Sequence, residues 1–100
     1  MMMRVLFAIG EAAPFAKTGG LGDVGGSLPA AINQYQGEVR VILPRFSTIP
    51  EHLSRQIKHI TGFRIDLGWR RQYCGLGEME YRGVHYYFID NEYYFKRDRL

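Results

Sequence analysis

The chain has a single cysteine, Cys74, in 100 residues. A lone thiol excludes an internal disulfide and any cysteine-built metal cluster, and a reducing, cytoplasmic setting follows as the simplest reading. Its three histidines, His52, His59 and His85, share no ligand spacing, so no metal is expected. Long apolar runs are missing too. RVLFAI, near the start, is closed by Gly10 and Glu11, far short of the roughly 20 residues of a membrane span and too short for a secretory leader. No membrane partner is expected. The net charge is only +3, and apart from Arg70-Arg71 and Lys96-Arg97 the basic residues are scattered. No basic stripe alternates with aromatics, which excludes a nucleic-acid surface. Repeats, low-complexity tracts and linkers are also absent, leaving one domain's worth of chain at most.

What is present is a core. Hydrophobic residues make up 46% of the chain and aromatics 14%, enough to expect packing rather than disorder. Arg4 to Ile9 reads as a strand buried on both faces, as in the middle of a parallel sheet. Leu21, Val24, Leu28, Ala31, Ile32 and Tyr35 recur at helical steps and predict an amphipathic helix starting near Gly22 or Asp23. Gly25, Gly26 and Pro29 weaken its front, and Gly37 is expected to close it. Glu38 to Pro44 predicts a second buried strand, completing a βαβ unit.

Residues 45–56 read as a loop with a short helical turn from Pro50. Phe63, Ile65, Leu67 and Trp69 alternate with polar neighbours, as on a strand with one wet face. Residues 77–89 predict a hairpin turning at Arg82-Gly83, its second arm a third core strand. The expected class is therefore α/β: an incomplete Rossmann-like parallel sheet, βαβ plus a β-hairpin. Three core strands and a hairpin would leave an apolar face and an edge uncovered, so the pattern reads as part of a larger protein, able to self-associate by itself.

Chemistry concentrates in PFAKTGGLGDVGGSLP, between the first strand and the first helix. Gly20, Gly22 and Gly25 spell the dinucleotide fingerprint, but the strand ends about ten residues too early for it, and Arg45 stands near where an acidic ribose partner belongs. A Walker loop needs glycine directly before the lysine; here Ala16 precedes Lys17. What survives is the physics common to such loops. Unobstructed amides, a helix's positive end and one ammonium converge at the carboxyl end of a strand, a natural place for a diphosphate. A ligand-free structural turn would use the same residues, and both readings stay open on the residues alone. Asp23 suits a helix N-cap or, alternatively, a contact to a sugar hydroxyl. Glu11 could orient Lys17 or a sugar hydroxyl.

FAIGEAAPFAKTGGLGDVGGSLPAAI resembles the amino-terminal signature of the bacterial glycogen synthase and plant starch synthase family. The likeness continues through GEVRVILPRFSTI and YYFIDNEYYFKRD, nearly the whole chain. The resemblance implies that residues 1–100 are the amino-terminal portion of the N-domain of a two-domain GT-B glycosyltransferase, with the second domain absent. The implied activity is retaining transfer of glucose from ADP-glucose to the 4-hydroxyl end of an α-1,4-glucan, without metal or cofactor. It implies Lys17, Gly19 and Gly20 on the nucleotide-sugar phosphates and Asp23 facing the cleft. The family's catalytic residues belong to segments outside this sequence, so residues 1–100 alone are expected to be inactive. Two positions depart from the family pattern: Gly22 where Ala is expected, and Gly25 where Val or Ala is usual. Both are expected to loosen the helix start.

Elsewhere the readings are plainer. Cys74 reads as a small, partly buried residue. Tyr86, Tyr87, Tyr93 and Tyr94 divide between core and interface by strand alternation, and Trp69 reads as a hydrophobic anchor.

Overall fold

The computed structural model describes residues 3–35, 37–66, 68 and 71–90. The readings that rest on Trp69, Tyr93, Tyr94 and the basic pairs at 70–71 and 96–97 lie wholly or partly outside them. Five strands and two helices follow in the order β1 (Met3–Ala8), α1 (Gly20–Asn33), β2 (Gly37–Pro44), α2 (Glu51–Ser54), β3 (Lys58–Asp66), β4 (Arg71–Tyr81) and β5 (Val84–Asp90). The strands form one open sheet ordered β1-β2-β5-β4-β3. β1, β2 and β5 run parallel, with Leu6 opposite Arg40 and Val41 opposite Tyr86. β4 and β3 then continue the sheet antiparallel.

The expected βαβ unit and hairpin are both present, in one mixed sheet. The hairpin turns at Arg82 (φ 51°) and Gly83 (φ 80°), both left-handed, the geometry that matches the twist of the arms. Arg82 therefore takes a positive φ that a bulky residue rarely adopts. β4 begins six residues before the segment read as its start, because Gly75 and Gly77 interrupt the apolar alternation that marks a strand. Gly37, expected to close the helix, is instead the first residue of β2.

β2 and β5 supply the centre of the core. Val39, Val41 and Leu43 from one, and Val84, Tyr86 and Phe88 from the other, point to the same face and are buried. Phe15, from the loop after β1, stands on this face with its ring 4.7 Å from Tyr86, 5.1 Å from Phe88 and 5.7 Å from Tyr81. Burying an aromatic of that size stabilises by roughly 1.5–3 kcal/mol, so Phe15 fixes the loop to the sheet.

Two expectations about burial are overturned. β1 lies at the sheet edge, not in its middle, with Val5 40% and Leu6 60% exposed. α1 is turned the other way round from its apolar stripe. Leu21, Val24, Leu28, Ile32 and Tyr35 are exposed, while Gly22, Gly25 and Pro29 are the buried positions. The periodicity was real, but close backbone packing by the glycines decides which side faces inward. No helix among the described residues is long and apolar enough to cross a membrane.

Candidate functional site

β1 delivers the chain to the carboxyl rim of the parallel strands, and residues 9–19 cross from there to the start of α1. The first half of this crossing is sunk into the protein: Ala12, Phe15 and Ala16 are buried. The amides of Phe15 and Ala16 both donate to the Ala12 carbonyl, at 2.9 and 3.0 Å, closing a tight turn. The Ala13 amide donates to the Gly22 carbonyl at 2.9 Å, tying the turn to the first turn of the helix.

Glycine is required where these pieces touch. A Cβ at Gly25 would clash with the Glu11 carbonyl oxygen, and one at Gly26 would lie 2.6 Å from the Ala13 carbonyl oxygen. Both neighbours are backbone and cannot swing aside. At Gly22 the nearest atom is Cγ of Lys17, 2.8 Å away, the flexible stem of a side chain. The two departures from the family pattern are thus contact points between loop and helix rather than loosened ones.

The second half, Lys17 to Leu21, is exposed. α1 begins at Gly20, two or three residues earlier than expected, with Gly19 as its cap residue and no side chain capping it. Asp23 is therefore not the N-cap; it lies in the first turn, where its carboxylate meets the Lys17 ammonium at 2.8 Å. Both side chains are more than half exposed, at 51% and 62%. The Gly22 amide donates to the Gly19 carbonyl at 3.2 Å. The amides of Gly20 and Leu21 have no acceptor among the described residues, as the leading amides of a helix do when no side chain caps it.

Glu11 grips the same segment from the other side. Its carboxylate accepts the Thr18 amide at 2.6 Å and the Thr18 hydroxyl at 2.8 Å. These bonds, the amide first, hold the Glu11 carboxyl below the usual carboxylate range, with the Gly19 amide adding to the effect. Glu11 thus contacts Thr18, while the partner of Lys17 is Asp23.

Lys17, Gly19, Gly20 and Asp23 come together at one end of α1. The Lys17–Asp23 pair, spaced six residues apart across the turn into the helix, was not visible as a pair in the sequence; nor was the Glu11–Thr18 contact, although both residues stand out individually. A concave space of about 540 Å³ adjoins the rim, lined by Ala13, Pro14, Asp23, Gly26, Tyr81 and Arg82 among others. Its lining includes neither Lys17 nor Gly19 nor Gly20, so the loop is an open rim beside a hollow. Among the described residues no cluster of potential metal ligands occurs, and Cys74 is a free, partly buried thiol.

The mixed sheet and glycine-rich rim define the class. Residues 4–100 match the family model for the starch synthase catalytic domain, and the chain belongs to that family. It is 58% identical over 97 residues to the glycogen synthase of Desulfitobacterium hafniense, covering 97% of this chain and 21% of that relative. It is 51% identical over 98 residues to the glycogen synthase of Anoxybacillus flavithermus, covering 98% of this chain and 20% of the relative. The fold matches the catalytic domain of starch synthase IV from Arabidopsis thaliana, solved with ADP and acarbose, with a TM-score of 0.83 and 23% identity. That match covers 99% of this chain and 21% of the plant chain. The chain thus spans about a fifth of the length of the relatives it matches.

Proposed function

We propose that this chain is the diphosphate-binding, amino-terminal portion of the N-domain of a cytoplasmic glycogen synthase. The whole enzyme transfers glucose from ADP-glucose to the 4-hydroxyl end of an α-1,4-glucan with retention. Residues 1–100 alone are expected to be inactive, because the catalytic residues of the family the chain resembles belong to segments outside this sequence. Lys17, Gly19 and Gly20 bind the phosphates, and Asp23 contacts the cleft.

One observation carries this reading: the Lys17 ammonium and the unpartnered leading amides of α1 share one end of one helix. As the glucosyl bond to the diphosphate breaks, negative charge accumulates on the departing oxygens. Donors fixed at that place stabilise the transition state more than the ground state. The Lys17 ammonium meets the Asp23 carboxylate at 2.8 Å. An exposed pair of this kind is worth about 0–1 kcal/mol, so a diphosphate carrying more charge than one carboxylate displaces Asp23 at little cost. Asp23 is then free to accept a hydroxyl of the sugar. In the full-length enzyme, Lys17→Ala is expected to lower kcat/KM for ADP-glucose at least tenfold, about 1.4 kcal/mol. Unchanged kinetics would remove Lys17 from the site.

A second reading rests on the exposed stripe of α1 and the apolar residues Val5 and Leu6 of the edge strand. By itself the 100-residue chain is expected to self-associate through them. Sedimentation at several concentrations tests this, and a concentration-independent monomer would end it.

A further inference from the structure

Between buried Ala16 and buried Gly22, the chain crosses five exposed residues, two of them glycine. A segment with so little packing gains no fixed geometry from the core, and glycine gives it more conformational freedom than any other residue. Yet Lys17 and the amides beside it must be held in place if they are to stabilise charge rather than follow it. The buried half of the loop is fixed three times over: by Phe15 against the aromatic core, by the Ala12 turn, and by the Ala13–Gly22 bond. Glu11 belongs to that fixed half. Its backbone lies against Gly25, and its carboxylate reaches across to Thr18, in the middle of the exposed half.

We propose that Glu11 is a positioning residue that acts through Thr18, carrying the rigidity of the buried half of the loop across to Lys17 and the leading amides of α1. The inference rests on the diphosphate reading given above. Two bonds to one residue, one to its backbone amide and one to its hydroxyl, fix both the position and the rotation of the peptide following Lys17. A single bond would leave that peptide free to turn. Lys17 is thereby held so that its stem crosses Gly22 and its ammonium reaches Asp23. The carboxylate is ionised at neutral pH as any glutamate is, and the bonds it accepts from Thr18 lower its pKa further, so the tie is present across the neutral range. Glu11 itself need not touch the nucleotide sugar.

The test uses the full-length enzyme with ADP-glucose as the varied substrate. Glu11→Ala and Thr18→Val are each expected to lower kcat/KM, Glu11→Ala by about tenfold and Thr18→Val by less. The double variant should be no worse than Glu11→Ala alone, because both break the same tie. Glu11→Gln should recover most of the loss: its amide oxygen accepts the Thr18 amide, and its NH2 donates to the Thr18 hydroxyl oxygen. Thr18→Ser should behave like the parent. Hydrogen exchange at the Thr18 amide should accelerate in Glu11→Ala and stay slow in Glu11→Gln, a readout independent of activity.

The proposal is overturned if Glu11→Ala is silent, if the two single effects multiply, or if Glu11→Gln is as poor as Glu11→Ala. The last result would make Glu11 a charge acting directly on substrate. Lys17→Ala, run alongside, decides the parent reading separately. If that variant is silent, the phosphate site itself falls; if it is impaired while the Glu11 and Thr18 variants are not, only the positioning role falls.

Discussion

The two faces of α1 differ in the way that matters most for the site. One face is made of Gly22, Gly25, Gly26 and Pro29; its three glycines lie against the loop of residues 11–17, so close that a methyl group would meet backbone at two positions. The other carries Leu21, Val24, Leu28 and Ile32, all exposed, with Leu21 at 52%. The small-residue face does the structural work here, although it contains almost no hydrophobic surface. It lets backbone meet backbone, which brings the loop, and Lys17 with it, to the leading end of the helix. The apolar face has the composition of a surface to be covered, in a chain that spans a fifth of its relatives' length.

Mutations can break this contrast. The largest effect is expected where the loop enters the core. Phe15→Ala removes the ring that meets Tyr81, Tyr86 and Phe88 and should cost about 3–5 kcal/mol, measured by urea denaturation. Next comes the tight face of the helix. Gly26→Val would push against the Ala13 carbonyl and should cost about 1–3 kcal/mol.

Acid should act more mildly and more locally. The Glu11 carboxyl lies below its ordinary value because Thr18 donates to its charged form. Its contribution is therefore complete above the ordinary carboxylate pKa of about 4.3 and is lost as pH falls through the lower folded value. Protection of the Thr18 amide, relative to the intrinsic exchange rate at the same pH, should fall in that acid window while the amides of β2 and β5 stay protected. The smallest effect is expected on the exposed face, where Leu28→Ala should change stability by less than about 0.5 kcal/mol. A larger loss there would mean that the stripe packs against something within these 100 residues, and the contrast would fail.

The architecture was readable wherever local pattern and tertiary structure agree. The βαβ unit, the helical turn after Pro50 and the hairpin at Arg82-Gly83 all follow from apolar runs and turn residues, and all are present. The loop was also conspicuous, since glycines beside a lone lysine stand out in any sequence. The inward face of α1 was not readable, because hydrophobic periodicity assumes that apolar side chains do the packing, whereas Gly25 and Gly26 pack by having none. The edge position of β1 was hidden for a related reason. RVLFAI has the composition of a strand covered on both sides, but within the described residues it is not so covered.

The Lys17–Asp23 and Glu11–Thr18 contacts depend on how the chain folds back between residues 11 and 23. No periodicity encodes that path. Asp23 resembled a cap because helix starts favour it; Gly19 takes that place instead, which leaves the Asp23 carboxylate to face an ammonium.

The central claim is that Lys17 exchanges its carboxylate partner for a diphosphate at the leading end of α1. A crystal structure of the full-length enzyme with bound ADP tests it most directly, through the partner of the Lys17 ammonium. The account predicts that ammonium on a phosphate oxygen, the Gly20 amide pointing at the same group, and Asp23 released from its 2.8 Å contact. An intact Lys17–Asp23 pair, with the diphosphate bound elsewhere, would contradict it.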